Sequence, residues 1–90
     1  MNLLERIFQN KKEFYNLALE YFHNINSAIY EDTKFDMIVS KSISILIDHD
    51  FIPTPCIEIK LELRKNQIKR GNYFLYVSEN KEFIDELLIT

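Results

Sequence analysis

Apolar side chains recur along this chain with two different periods, and the change falls near the middle. From residue 3 to 47 they return at helical spacing, whereas from Cys56 onward Ile57, Ile59, Leu61 and Leu63 alternate with Glu58, Lys60, Glu62 and Arg64. Residues three and four apart share one face of a helix, while neighbours in a strand point to opposite faces. The switch predicts an α+β fold: two or three N-terminal helices packed on one face of a small antiparallel sheet, a meander formed by the C-terminal half.

In the first stretch Leu4, Ile7 and Phe8, then Phe14, Tyr15, Ala18, Tyr21, Phe22, Ile25, Ala28 and Ile29, make a one-sided stripe interrupted at Lys11. Asn10, with Glu13 three residues on, has the spacing of an N-cap. A short helix ending near Gln9 and a second starting near Lys11 is therefore favoured over one continuous helix. Asp32-Thr33 offers the next cap, with Asp36 placed to favour a helix N-terminus. Phe35, Ile38, Val39, Ser42, Ile43, Leu46 and Ile47 then match the i, i+3, i+4, i+7 pattern. They predict a helix over 34–47 with Ile38, Val39, Ile43, Leu46 and Ile47 inward, although Ile43, Ile45 and Ile47 also alternate as a strand would. Pro53 and Pro55 stop it, each lacking an amide donor and pushing its predecessor towards extended geometry.

A first strand is expected from about Cys56 to Arg64, apolar on one face and charged on the other. Lys65 to Asn72 forms the connection, with Gly71-Asn72 supplying the turn. The second strand, Tyr73 to Ser78, is apolar on both faces: Tyr73, Leu75 and Val77 on one, Phe74 and Tyr76 on the other. After a turn at Glu79-Asn80-Lys81, a third strand from Glu82 to Ile89 is preferred to a short helix, because two strands alone are marginal.

Composition narrows the class without naming a function. Ninety residues are expected to form one domain, 1–90, with a shallow core, and a single Gly leaves no room for a flexible linker. One cysteine, Cys56, excludes an internal disulfide. The N-terminal residues lack the basic-then-apolar order of a signal peptide, and no apolar run approaches the roughly 18 residues of a membrane span. A cytoplasmic protein with no membrane partner is the expectation. The net charge of −3 is unevenly spread. Residues 51–72 carry five bases against two acids, concentrated at Arg64, Lys65, Lys69 and Arg70, whereas residues 31–50 carry five acids against two bases. That makes a dipolar molecule, not a uniformly basic one.

Catalytic and cofactor chemistry finds little support. Asp48-His49-Asp50 joins carboxylates to an imidazole, but adjacent helical residues diverge by about 100° and cannot converge on one atom. A solvated helix end is the better account. His23 sits beside the apolar stripe and suits a core-edge position. His23, His49 and Cys56 lack the Cys-x-x-Cys or His-x-x-x-His spacing of a zinc site. Cys56 opens a strand, where a free cysteine is usually a small hydrophobe. One glycine cannot build a Walker or Rossmann phosphate loop. No enzyme, no cofactor and no metal are expected.

Two features remain as binding candidates. The basic hairpin 64–70 beside Tyr73, Phe74 and Tyr76 could track a nucleic-acid backbone, yet the acidic total argues against it and exposed turns carry bases for solubility. The aromatic second face of the Tyr73–Ser78 strand is more telling. Phe74 and Tyr76 should border Glu58, Lys60, Glu62 and Arg64, and an aromatic patch with a charged rim is the composition of an interface. The competing account is that the tail, Phe83 to Ile89, covers these rings. The expected function is thus a non-enzymatic protein-binding module, most concretely a small inhibitor or immunity-type protein that occludes a toxin or effector. The alternatives are a structural homodimer or complex subunit using its sheet face, and a nucleic-acid-binding accessory protein using the basic hairpin.

Overall fold

The computed structural model describes residues 2–29, 35–48 and 52–90. Two helices come first, α1 (Leu3–Gln9) and α2 (Lys11–Ile29), and four strands follow: β1 (Met37–Leu46), β2 (Cys56–Lys65), β3 (Ile68–Val77) and β4 (Phe83–Ile89). The strands form one sheet in the order β1-β2-β3-β4, each antiparallel to the next. The fold is α+β, helices N-terminal and sheet C-terminal.

The helical break falls at Asn10, as the sequence predicts, but by a different bond. The Asn10 amide donates back to the Arg6 carbonyl at 2.8 Å, closing α1, instead of capping the first amides of α2. The Asn10 backbone carbonyl then accepts from the Phe14 N–H at 3.2 Å. At the start of α1 the Asn2 side chain accepts from the Glu5 N–H at 2.8 Å, a regular N-cap.

The expected helix over 34–47 is corrected to a strand. β1 pairs along β2 from Met37↔Arg64 to Leu46↔Cys56, with a bulge at Lys41. The reason is tertiary. Ile57, Ile59, Leu61 and Leu63 of β2 are fully buried, and a buried strand needs a hydrogen-bonding neighbour on each edge. The Ser-Ile alternation of 42–45, with a β-branched Ile at every second position, supplies that neighbour at period two. Ile38, Ile43 and Ile45 pack against the core, whereas Ile47, expected inward, is 77% exposed. Asp36 caps no helix: its carboxylate accepts from the Asn66 N–H at 2.8 Å, tying the start of β1 to the β2–β3 turn. The proposed cap Asp32-Thr33 lies outside the described residues, as do His49 and Asp50. Asp48 follows the strand β1 and not a helix.

The β2–β3 turn is likewise displaced from Gly71-Asn72 to Asn66-Gln67, where both residues have positive φ (53° and 67°), the requirement of a two-residue hairpin turn of mirror-image type. Gly71 lies inside β3 and is needed for space. A Cβ there would collide with the Ile89 carbonyl oxygen and stand 3.0 Å from the Thr90 Cα. The preferred third strand is present as β4, reached through a turn in which Ser78 Oγ accepts from the N–H groups of Asn80 and Glu82, both at 3.1 Å.

The core joins Ile7, Phe14, Ala18 and Phe22 of the helices to Ile57, Ile59, Leu61, Leu63, Tyr73, Leu75 and Val77 of the sheet. Register shows why these strand residues act together: Ile57 faces Val77, Ile59 faces Leu75 and Leu61 faces Tyr73 across the central pair. Phe22 stacks obliquely on Tyr73 at 5.4 Å between ring centroids. The Tyr73 hydroxyl donates to Glu86 of β4 at 2.8 Å, so its polar end is satisfied at the core margin.

Leu61→Ala should cost about 2–5 kcal/mol in chemical denaturation, and Ile47→Ala no more than about 0.5 kcal/mol, whereas a helical 34–47 with Ile47 inward would make both costly. Gly71→Ala should lower the melting temperature and, by hydrogen exchange, deprotect the end of β4 more than the β1–β2 pair, because the backbone at Ile89 must move away.

Candidate functional site

The side of the sheet that alternates with the core set carries nearly all the predicted site residues, and the register aligns them in rows. One row runs Ser44, Glu58, Tyr76, Asp85; the next Ser42, Lys60, Phe74, Leu87; the next Val39, Glu62, Asn72, Ile89. Arg64 follows, flanked by Met37 and Lys69. The expected neighbourhood of Phe74 and Tyr76 with Glu58 and Lys60 is therefore real. Lys60 Nζ stands 5.8 Å from the centre of the Phe74 ring, a cation–π approach. The tail does not roof these rings. β4 extends the sheet beside β3, placing Leu87 level with Phe74.

Sequence reasoning missed half of this surface. Leu87 and Ile89 are 47% and 51% exposed, and with the half-buried Phe74 and Tyr76 they make an apolar strip on the β3–β4 half of this side, between Asp85 and Asn72. The signal was present in the alternation of Asp85, Leu87 and Ile89 with Ile84, Glu86 and Leu88. Which set faced which side depended on pairing with β3.

Charge on this side is organised around Glu62. Its side chain is buried at 7% exposure, with Arg64 Nε at 2.6 Å, Lys41 Nζ at 3.8 Å and Lys69 Nζ at 3.9 Å. The Arg64 hydrogen bond, opposed by burial and aided by the charges of Arg64, Lys41 and Lys69, holds the Glu62 carboxyl below the usual carboxylate range. Lys41 was not among the predicted residues; the bulge in β1 brings it there. Lys65 and Arg70 are exposed at the hairpin end and, unlike Lys69, lie outside this cluster. Only part of the basic hairpin thus forms one electrostatic unit, and that part already holds a carboxylate. At the opposite end of the rows, burial and a hydrogen bond to Glu58 push the Tyr76 phenol up to about 12.

Cys56 is buried, and burial followed by the charge of Glu58 pushes its thiol up, away from the thiolate form a nucleophile needs. His23 lies exposed on α2 beside Phe22. Among the described residues no group of three or more His, Cys, Asp or Glu is placed to hold a metal ion, and no helix is long and apolar enough to cross a membrane.

Comparison with known proteins finds no matching family model, no matching curated protein and no matching solved structure.

Because the folded state depresses the Glu62 pKa, its stabilisation is complete above the unfolded carboxylate range and is lost as pH falls through the folded value. Glu62→Gln should therefore be less stable than wild type at pH 7, with the gap closing progressively below about pH 4.5. Parallel denaturation curves across that range would refute the cluster's contribution.

Proposed function

We propose that this chain is a non-enzymatic protein-binding module, its helices covering one side of the sheet and the other side serving as the binding surface. The supporting observation is the apolar strip of Phe74, Tyr76, Leu87 and Ile89, which alternates along the strands with the residues that Ile7, Phe14, Ala18 and Phe22 of the helices join in the core. An antiparallel sheet with one solvated face is normally polar on that face. An apolar centre bordered by Glu58, Lys60 and the Glu62 cluster has the core-and-rim composition of a protein interface. In its most concrete form the module is a small inhibitor of the immunity type, which neutralises a toxin or effector by occluding its surface.

Two alternatives stand beside it. Self-association through the same side, as a homodimer or complex subunit, is favoured by the order of charges along β2. Nucleic-acid binding by the hairpin 64–70 loses support because Glu62 already draws on Arg64 and Lys69, which leaves a smaller uncompensated charge to meet phosphate.

Phe74→Ser/Tyr76→Ser tests the proposal directly. Against a partner recovered with the wild-type chain, the double variant should bind at least about 2 kcal/mol more weakly, some thirtyfold, while melting nearly as wild type does. Replacing Lys65, Lys69 and Arg70 with Gln should mainly change the salt dependence of binding. A double variant that is unfolded in buffer would place both rings in the core and overturn the assignment.

A further inference from the structure

We infer that the occupant of this side is a second copy of the chain, stacked face to face with its strands running antiparallel to the first. The inference rests on the preceding proposal that this side binds protein; it names the partner. The carrier is the order of charge on β2. Glu58, Lys60, Glu62 and Arg64 succeed one another on one side of the strand as minus, plus, minus, plus. Read backwards, that series is its own complement.

A two-fold axis crossing the strands between the Lys60 and Glu62 rows lays Glu58 of one copy over Arg64 of the second copy, and Lys60 over Glu62 of the second copy. Two alternatives fail on charge, and an axis one row further along in either direction pairs fewer of the four groups. A parallel stack sets each group over its like, and moving the axis to the Lys60 row brings Glu58 over Glu62. The neighbouring strands agree with the first arrangement. Asp85 lies in the Glu58 row, so that end carries two negative charges. Lys41, Arg64 and Lys69 gather on Glu62 at the other end, so that half is net positive and faces the half that Glu58 and Asp85, less Lys60, leave net negative. Across the axis Leu87 meets Ile89 of the second copy, burying the exposed apolar strip.

Sheets that pack face to face keep their strand directions within about 30° at a separation of about 10 Å, close enough for Glu and Arg side chains to meet. The contact is isologous, each patch meeting its own copy, so association closes at two chains. A heterologous partner would need no such internal complementarity.

Sedimentation velocity over a concentration series provides the test. The wild-type chain should form a dimer that weakens with added salt. Glu58→Arg and Arg64→Glu, each alone, should weaken dimerisation about tenfold or more by setting like charges face to face. The double variant Glu58→Arg/Arg64→Glu should recover it, because the antiparallel stack restores both pairs with signs exchanged. Should either single variant fail to fold by circular dichroism, Asp85→Lys and Lys69→Glu repeat the comparison at exposed positions of the same two ends. A chain that stays monomeric, a dimer indifferent to the single reversals, or a double variant without recovery overturns the inference. A monomer whose folded Phe74→Ser/Tyr76→Ser form loses a different protein partner leaves the binding surface standing and removes only the second copy. Unfolding of that double variant removes both.

Discussion

The alternation in β2 is the constraint on which the remaining structure depends. Ile57, Ile59, Leu61 and Leu63 are fully removed from water, and between them stand Glu58, Lys60, Glu62 and Arg64. A strand sends successive side chains to opposite faces, so a shift of one residue would drive four charges into the core and expose four aliphatic groups. Register is thereby set for the whole sheet. β3 must lay Leu75 opposite Ile59 and Tyr73 opposite Leu61, and β1 must bring Ile43 and Ile45 alongside Ile59 and Ile57. The same alternation that fixes the core aligns the charged rows on the other side, so the architecture and the candidate surface share one cause.

Glu62 shows how a charge is accommodated in that arrangement. A buried carboxylate without partners is strongly unfavourable. Here Arg64, two residues along the same strand, supplies a hydrogen bond, and Lys41 and Lys69 arrive from β1 and β3. Both neighbouring strands carry a bulge close to where these cations arise, at Lys41 and at Arg70. Bulges turn a strand locally and redirect a side chain. The cluster therefore ties three strands together on the side away from the core, at the end of the sheet where β2 and β3 are joined by a tight turn.

Much of this was legible from residue order because the physics involved is local. The break at Asn10 follows from a polar residue interrupting an apolar stripe, β2 from its strict period of two, and β4 from the need of a short hairpin for another strand. The stretch 34–47 was not legible. Ile38, Val39, Ile43, Leu46 and Ile47 fit the helical pattern while Ile43, Ile45 and Ile47 alternate as a strand would, and only the unfilled edge of β2 decides between them. The turn at Asn66-Gln67 was hidden for a similar reason: Gly71-Asn72 has the stronger turn chemistry, but Gly71 is used where β4 closes on β3 and leaves no room for a Cβ. At the candidate surface, Phe74 and Tyr76 stood out by composition. Leu87, Ile89 and Lys41 join them through strand pairing, which no local pattern specifies.

By itself the sequence determined the class of fold, the position and facing of the central strand, and the presence of aromatic residues on its neighbour's second face. These follow from side-chain periodicity and solvation, which act within a few residues. Tertiary structure alone decided that 37–46 is a strand, that β4 extends the sheet beside β3 instead of covering Phe74 and Tyr76, and that three cations from three strands meet on one carboxylate. Each of those outcomes depends on hydrogen-bonding edges and registers shared between segments far apart in the chain, and the free energy that selects them exists only once the segments are together.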